Sequence, residues 1–198
     1  MTTASSTNVT VPLLDLKAQY DTIREEIEPV VRDVIESQWF IGGPKLAELE
    51  AAIASYCSTS HAVGCASGSD AILLPLQGIG VGAGDRVLCP TYSFFATAGS
   101  ITRLGAQPLF VDIDPGTYNI CPESLARAFE HPEADRIKAI VPVHLYGQCA
   151  DMDAINSIAS EHGVPVIEDS AQAIGSEDVH GRRAGSMGTA SAFSFFPS

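Results

Sequence analysis

From His61 onward the sequence keeps one rhythm, a short apolar run followed by a helical stretch. The runs are HAVGCAS (61–67), RVLCPT (86–91), QPLFVDID (107–114), IKAIVPVHL (137–145), VPVIEDSA (164–171) and ASAFSFF (190–196). Helical stretches fall between them, near 69–79, 94–104, 122–130 and 151–162. Runs apolar on both faces are strands buried on both faces, and crossovers long enough to hold a helix join parallel neighbours. The pattern predicts an α/β fold with a mainly parallel sheet covered by helices on each side. Residues 1–60 read differently, as a polar leader and a helical arm. Ile23, Ile27, Val30, Val31, Val34 and Ile35 recur at helical spacing, with Pro29 as a point of bending. The turn FIGGP (40–44) leads into a second helix with Leu46, Leu49, Ile53 and Tyr56 on one face.

In open α/β sheets ligands collect outside the carboxyl ends of the strands, so the residues after each run are the candidates for chemistry. CASGSDA (65–71) puts Gly68 and Ser69 at a helix start, where small residues let backbone N–H groups approach an anion such as phosphate. An ordinary Ser or Asp N-cap accounts for the same residues. PTYSFFATA (90–98) places Phe94 and Phe95 at the next helix start, where one ring can stack on a flat heterocycle while core packing claims at least one of the two. VIEDSAQAIG (166–175) sets Glu168 and Asp169 at a strand end with Gln172 three residues on. A carboxylate there can keep a pyridine nitrogen protonated, and a solvated acidic turn is the plainer alternative. His144 is either an acid/base group or a satisfied structural histidine.

Composition removes several classes. Eleven Lys and Arg against twenty-four Asp and Glu give a net charge of −13, which argues against nucleic acid as a partner. Five scattered cysteines without a CxxC pair fit neither a disulfide framework nor a zinc site, and the histidines share no metal-ligand spacing. Neither a secretory leader nor a long apolar span is evident, so a cytoplasmic, membrane-free protein is expected. GxGxxG, GxxxxGK[ST] and GxSxG are all missing.

Eight blocks in order resemble the DegT/DnrJ/EryC1/StrS family of pyridoxal-phosphate-dependent sugar aminotransferases. They are VPLLDLKAQY (11–20), FIGGPKLAELE (40–50), AVGCASGSDAI (62–72), GDRVLCPTYSFFATA (84–98), FVDIDPGTYN (110–119), PVHLYGQCADM (142–152), VIEDSAQAIG (166–175) and FSFFPS (193–198). The resemblance implies a three-layer, fold-type-I large domain over residues 61–198 and pyridoxal 5'-phosphate as cofactor. It implies that Gly68, Ser69 and Ser194 bind the cofactor phosphate, with serine at 69 where threonine is commoner. By the same carry-over Phe94 stacks on the pyridine ring, Asp169 pairs with its nitrogen and Gln172 contacts its 3-oxygen.

The implied reaction moves an amino group from glutamate or glutamine to a keto group of a nucleotide-linked sugar, in glycan or secondary-metabolite biosynthesis, by a homodimer. The family's Schiff-base lysine falls immediately after Ser198, where this sequence stops. Lys17, Lys45 and Lys138 are poorly placed to replace it. The sequence is therefore expected to be interrupted at that lysine, with a small C-terminal domain to follow. Two rival readings are a nucleotide-sugar dehydratase with histidine in the lysine's place, and a non-catalytic regulatory or binding member.

Overall fold

The computed structural model describes residues 12–196. By contact the chain divides into two compact units, one reaching through Ala47 and the other starting at Glu48, so the division falls inside a helix. The first unit carries α1 (Leu16–Ser37), which contains Pro29. Asp15 starts this helix by accepting the Ala18 N–H at 3.0 Å, and Gln38 ends it in the left-handed region. Helix α2 (Pro44–Tyr56) follows.

The second unit holds α3 (Gly68–Gly78), β1 (Arg86–Pro90), α4 (Phe95–Arg103), β2 (Gln107–Val111), α5 (Pro122–Ala128), β3 (Ile137–Ile140), α6 (Met152–His162), β4 (Ile167–Asp169) and β5 (Ala190–Ala192). Strands β2, β1 and β3 pair in that order, all parallel, and β4 pairs parallel with β5. Parallel bridges Ile140–Val166 and Val143–Asp169 join the two ladders. The sheet expected from the sequence forms, with one exception. Residues 61–67 are not a strand: Val63 is 82% exposed, and no strand among the described residues pairs with this run. An apolar run without a ladder beside it has no partner for its backbone groups and stays irregular.

Period-two alternation divides the core. On β1, Val87 and Cys89 face one side with Ala139, Val141, Ile167 and Ala192, packing on Ile72 and Leu76 of α3 and Ile101 of α4. Leu88 faces the other with Ile140 and Val166, against Leu125 of α5 and Met152 and Ile155 of α6. Three layers result, helices, sheet, helices. Each fully buried aliphatic side chain contributes about 1.5–3 kcal/mol, and the two clusters together hold every strand in register.

Candidate active site

The carboxyl ends of β1, β4 and β5 and the start of α3 meet in the second unit. Ser67 caps α3 by accepting the Asp70 N–H at 3.1 Å, which leaves the N–H groups of Gly68 and Ser69 in the first turn. Gly68 lies against Ser194, just past β5. A Cβ added to Gly68 would sit 2.8 Å from Ser194 Cβ and 3.0 Å from its Oγ, so only glycine permits this approach. The negative charge of Asp70 is answered by Arg103 at 3.1 Å. Two residues 126 positions apart in sequence thus form one small, half-buried cradle at a helix N-terminus.

Glu168 and Asp169 both belong to β4 and are both buried, yet they point to opposite faces. Glu168 faces the α6 side, where its Oε1 accepts the N–H groups of Met187 at 2.8 Å and Gly188 at 2.6 Å. Its Oε2 accepts the Gly185 N–H at 2.8 Å and lies 2.8 Å from His144 Nε2. Burial pushes the Glu168 carboxyl up, but the bonds from His144, Gly185 and Gly188 outweigh it and hold it below the ordinary value. His144 is fully buried, and its Nδ1 accepts the Ala150 N–H at 3.0 Å, so Nε2 donates to Glu168. Both ring nitrogens are satisfied, and the structural alternative for His144 is the one the structure realises. The acidic turn is likewise not solvated, because neither carboxylate reaches the surface.

Asp169 faces the other way, toward α4. Thr97 Oγ1 donates to Oδ2 at 2.7 Å, and the Ala171 N–H reaches Oδ1 at 3.3 Å. Thr97 is itself buried and bonded to Ser93 at 2.9 Å. Here burial wins: it raises the Asp169 carboxyl above its ordinary range despite the bonds from Thr97 and Ala171. A buried carboxyl with so little support matches a cationic group brought close to it. Gln172 Oε1 accepts the Tyr146 N–H at 2.9 Å, fixing an exposed amide beside the same edge.

Phe94 is the residue before α4 and its ring is 74% exposed, while Phe95 is 80% exposed. The expected core role for one of them is therefore not found. Phe95 instead lies along its own helix, so close to Gly99 that a Cβ there would meet its ring at 2.8 Å. Thr97 was not picked out by the sequence, although it sits one helical turn beyond Ser93 in the block PTYSFFATA. Nor was Asn119, a buried amide between the loops after β2 and β3. The lysine placed after Ser198 lies outside the described residues. Among the described residues no cluster of His, Cys, Asp and Glu is arranged to hold a metal, and no helix is long and apolar enough to cross a membrane.

These features define an α/β chain with a parallel sheet, in which a glycine-tight helix start, an exposed aromatic ring and a buried carboxyl lie at one sheet edge. The sequence profile of the DegT/DnrJ/EryC1/StrS aminotransferase family matches residues 21–198, and the chain belongs to that family. It is 52% identical over 187 residues to a Geobacillus stearothermophilus protein named pleiotropic regulatory protein, covering 94% of this chain and 49% of that one. It is 43% identical to the UDP-2-acetamido-2-deoxy-3-oxo-D-glucuronate aminotransferase of Pseudomonas aeruginosa, covering 95% and 51%. Among solved structures it resembles S. venezuelae DesV in complex with a ketimine intermediate, with TM-score 0.89, 41% identity, and 94% and 49% coverage. The chain spans about half the length of these relatives.

Proposed function

We propose that this chain forms the cofactor-binding part of a pyridoxal-phosphate-dependent aminotransferase acting on a nucleotide-linked keto-sugar, with glutamate or glutamine as amino donor. The observation that carries the reading is Asp169, a buried carboxyl at a strand's carboxyl end with only two donors and a raised affinity for protons. Pyridoxal phosphate, when bound, supplies an electron sink and carries the amino group between the two substrates. Asp169 holds a proton on the ring nitrogen, and Thr97 fixes the carboxylate in position for it. Phe94 offers its exposed ring for stacking. The first-turn N–H groups of Gly68 and Ser69 and the Ser194 hydroxyl hold the phosphate, where the helix N-terminus favours negative charge. Gln172 bonds the ring's 3-oxygen with the side-chain N–H left free by its bond to Tyr146.

Support for the sugar substrate comes from the names of relatives such as the P. aeruginosa enzyme. A homodimer and a cytoplasmic location fit the family resemblance. The test is direct: load the full-length protein with pyridoxal phosphate, add glutamate, and follow the cofactor's absorbance. A shift that Asp169→Asn abolishes is expected. A cofactor that binds without any response to glutamate or glutamine would leave a regulatory role, as the name of the G. stearothermophilus relative describes.

A further inference from the structure

Three tyrosines from three different loops meet at the carboxyl edge of the sheet. Tyr92 follows β1, Tyr118 lies in the loop after β2, and Tyr146 in the loop after β3. The rings of Tyr92 and Tyr118 lie 5.8 Å apart at 52°, and the hydroxyls of Tyr92 and Tyr146 are 3.0 Å apart. All three are exposed, Tyr146 at 71%.

This cluster is built at a conformational cost. Among the described residues four non-glycines have positive φ, and two of them are Tyr118 (61°) and Tyr146 (55°). A bulky side chain disfavours that region, and such strain persists only where surrounding bonds impose it. Those bonds are present. The Tyr118 N–H donates to Asp114 O at 2.8 Å, and the Tyr146 N–H donates to Gln172 Oε1 at 2.9 Å. Asn119, only 3% exposed, staples the two loops together: its Nδ2 donates to Gln148 O at 3.0 Å and its Oδ1 accepts the Leu145 N–H at 3.1 Å. A buried amide therefore sets the spacing between two exposed aromatic residues with positive φ.

We infer that Tyr92, Tyr118 and Tyr146 form a platform for the pyranose ring of the sugar substrate, next to the cofactor site. The inference rests on the aminotransferase reading and adds the place where the sugar lies. The chemistry selects this occupant. None of the three is a basic side chain. A glutamate carboxylate or a pyrophosphate would call for cationic partners. A pyranose presents an apolar C–H face that lies on an aromatic ring, and hydroxyls that both donate and accept. The paired phenols share one hydrogen bond, which leaves a second O–H and free lone pairs for such hydroxyls. Location agrees: Tyr146 is bonded to Gln172, and Tyr92 is two residues from Phe94.

Saturation-transfer NMR on the full-length protein tests this without any catalytic turnover, using UDP-N-acetylglucosamine and dTDP-glucose as probes and UDP and dTDP as controls. The pyranose protons of at least one probe are expected to be saturated by the wild type. Tyr118→Ala should lower that signal at least fivefold, while Tyr118→Phe, which keeps the ring, retains most of it. Saturation confined to the nucleoside protons, no saturation by the wild type, or equal signals from wild type and Tyr118→Ala would each overturn the inference. So would a change of oligomeric state in Tyr118→Ala, by sedimentation, with the pyranose signal intact; that result assigns the platform to a second copy of the chain. The glutamate-driven absorbance change fails or succeeds independently, because it involves no sugar.

Discussion

Glu168 and Asp169 are neighbours on one strand, and both are buried, yet their proton affinities move in opposite directions. The side facing α6 surrounds Glu168 with three backbone N–H groups and a histidine. The side facing α4 gives Asp169 one hydroxyl and one long backbone contact. Burial alone therefore does not say what a carboxylate is for. A saturated one is complete as it stands and ties the 185–188 loop to the strand. An under-supported one keeps capacity for a further donor, and it sits at the edge where Gly68, Ser194 and the exposed Phe94 ring also are.

The widest separation between the two sides should come from Glu168→Ala. It strands four donors, two of them on the buried residues His144 and Met187, and a loss of about 3–5 kcal/mol in a urea titration is expected. Because the folded Glu168 value lies below the ordinary one, this stabilisation is present above the ordinary glutamate value and fades as pH falls through the folded one. A loss under about 1 kcal/mol at neutral pH, within the range of a single ordinary hydrogen bond, would erase the distinction between the two faces.

Next in size is Gly68→Ala, which forces a Cβ against Ser194 and should cost about 1–3 kcal/mol, as overpacking does. It should also weaken pyridoxal-phosphate binding in a fluorescence titration. Unchanged stability and affinity would mean that the cradle is not a tight contact.

Asp169→Asn should act with the opposite sign to Glu168→Ala, raising the urea midpoint of the cofactor-free protein. The folded Asp169 value lies above the ordinary one, so its ionisation opposes folding. That penalty is absent below the ordinary aspartate value and grows as pH rises through the folded one. The gain should follow the same course, near zero in acid and fully developed at higher pH. A midpoint that falls at neutral pH would place Asp169 among the structural carboxylates with Glu168.

The smallest effect on stability is expected for Phe94→Ala, within about 0.5 kcal/mol, since the ring packs on little. Its cofactor affinity should nevertheless fall. Stability and affinity lost together would return Phe94 to the core.

Much of this was legible in the sequence. Runs apolar on both faces predicted strands β1 to β5, and the helices between them appear within one or two residues of the expected places. The run 61–67 has the same local composition and is no strand, because pairing is a relation between segments that one segment cannot announce. His144 shows the same limit, since a histidine at a strand end reads alike whether it shuttles protons or fills a buried socket.

The sequence by itself determined the layer order and the edge at which the candidate residues gather, because both follow from periodicity and from the chirality of parallel crossovers. Family resemblance marked Gly68, Ser69, Phe94, Asp169, Gln172 and Ser194. Only the tertiary structure decided which of two adjacent carboxylates is saturated and that Ser194 seats against Gly68. It alone showed that Asn119 sets two tyrosine loops side by side. Those outcomes depend on donors and volumes supplied from distant parts of the chain, and a local pattern carries no information about them.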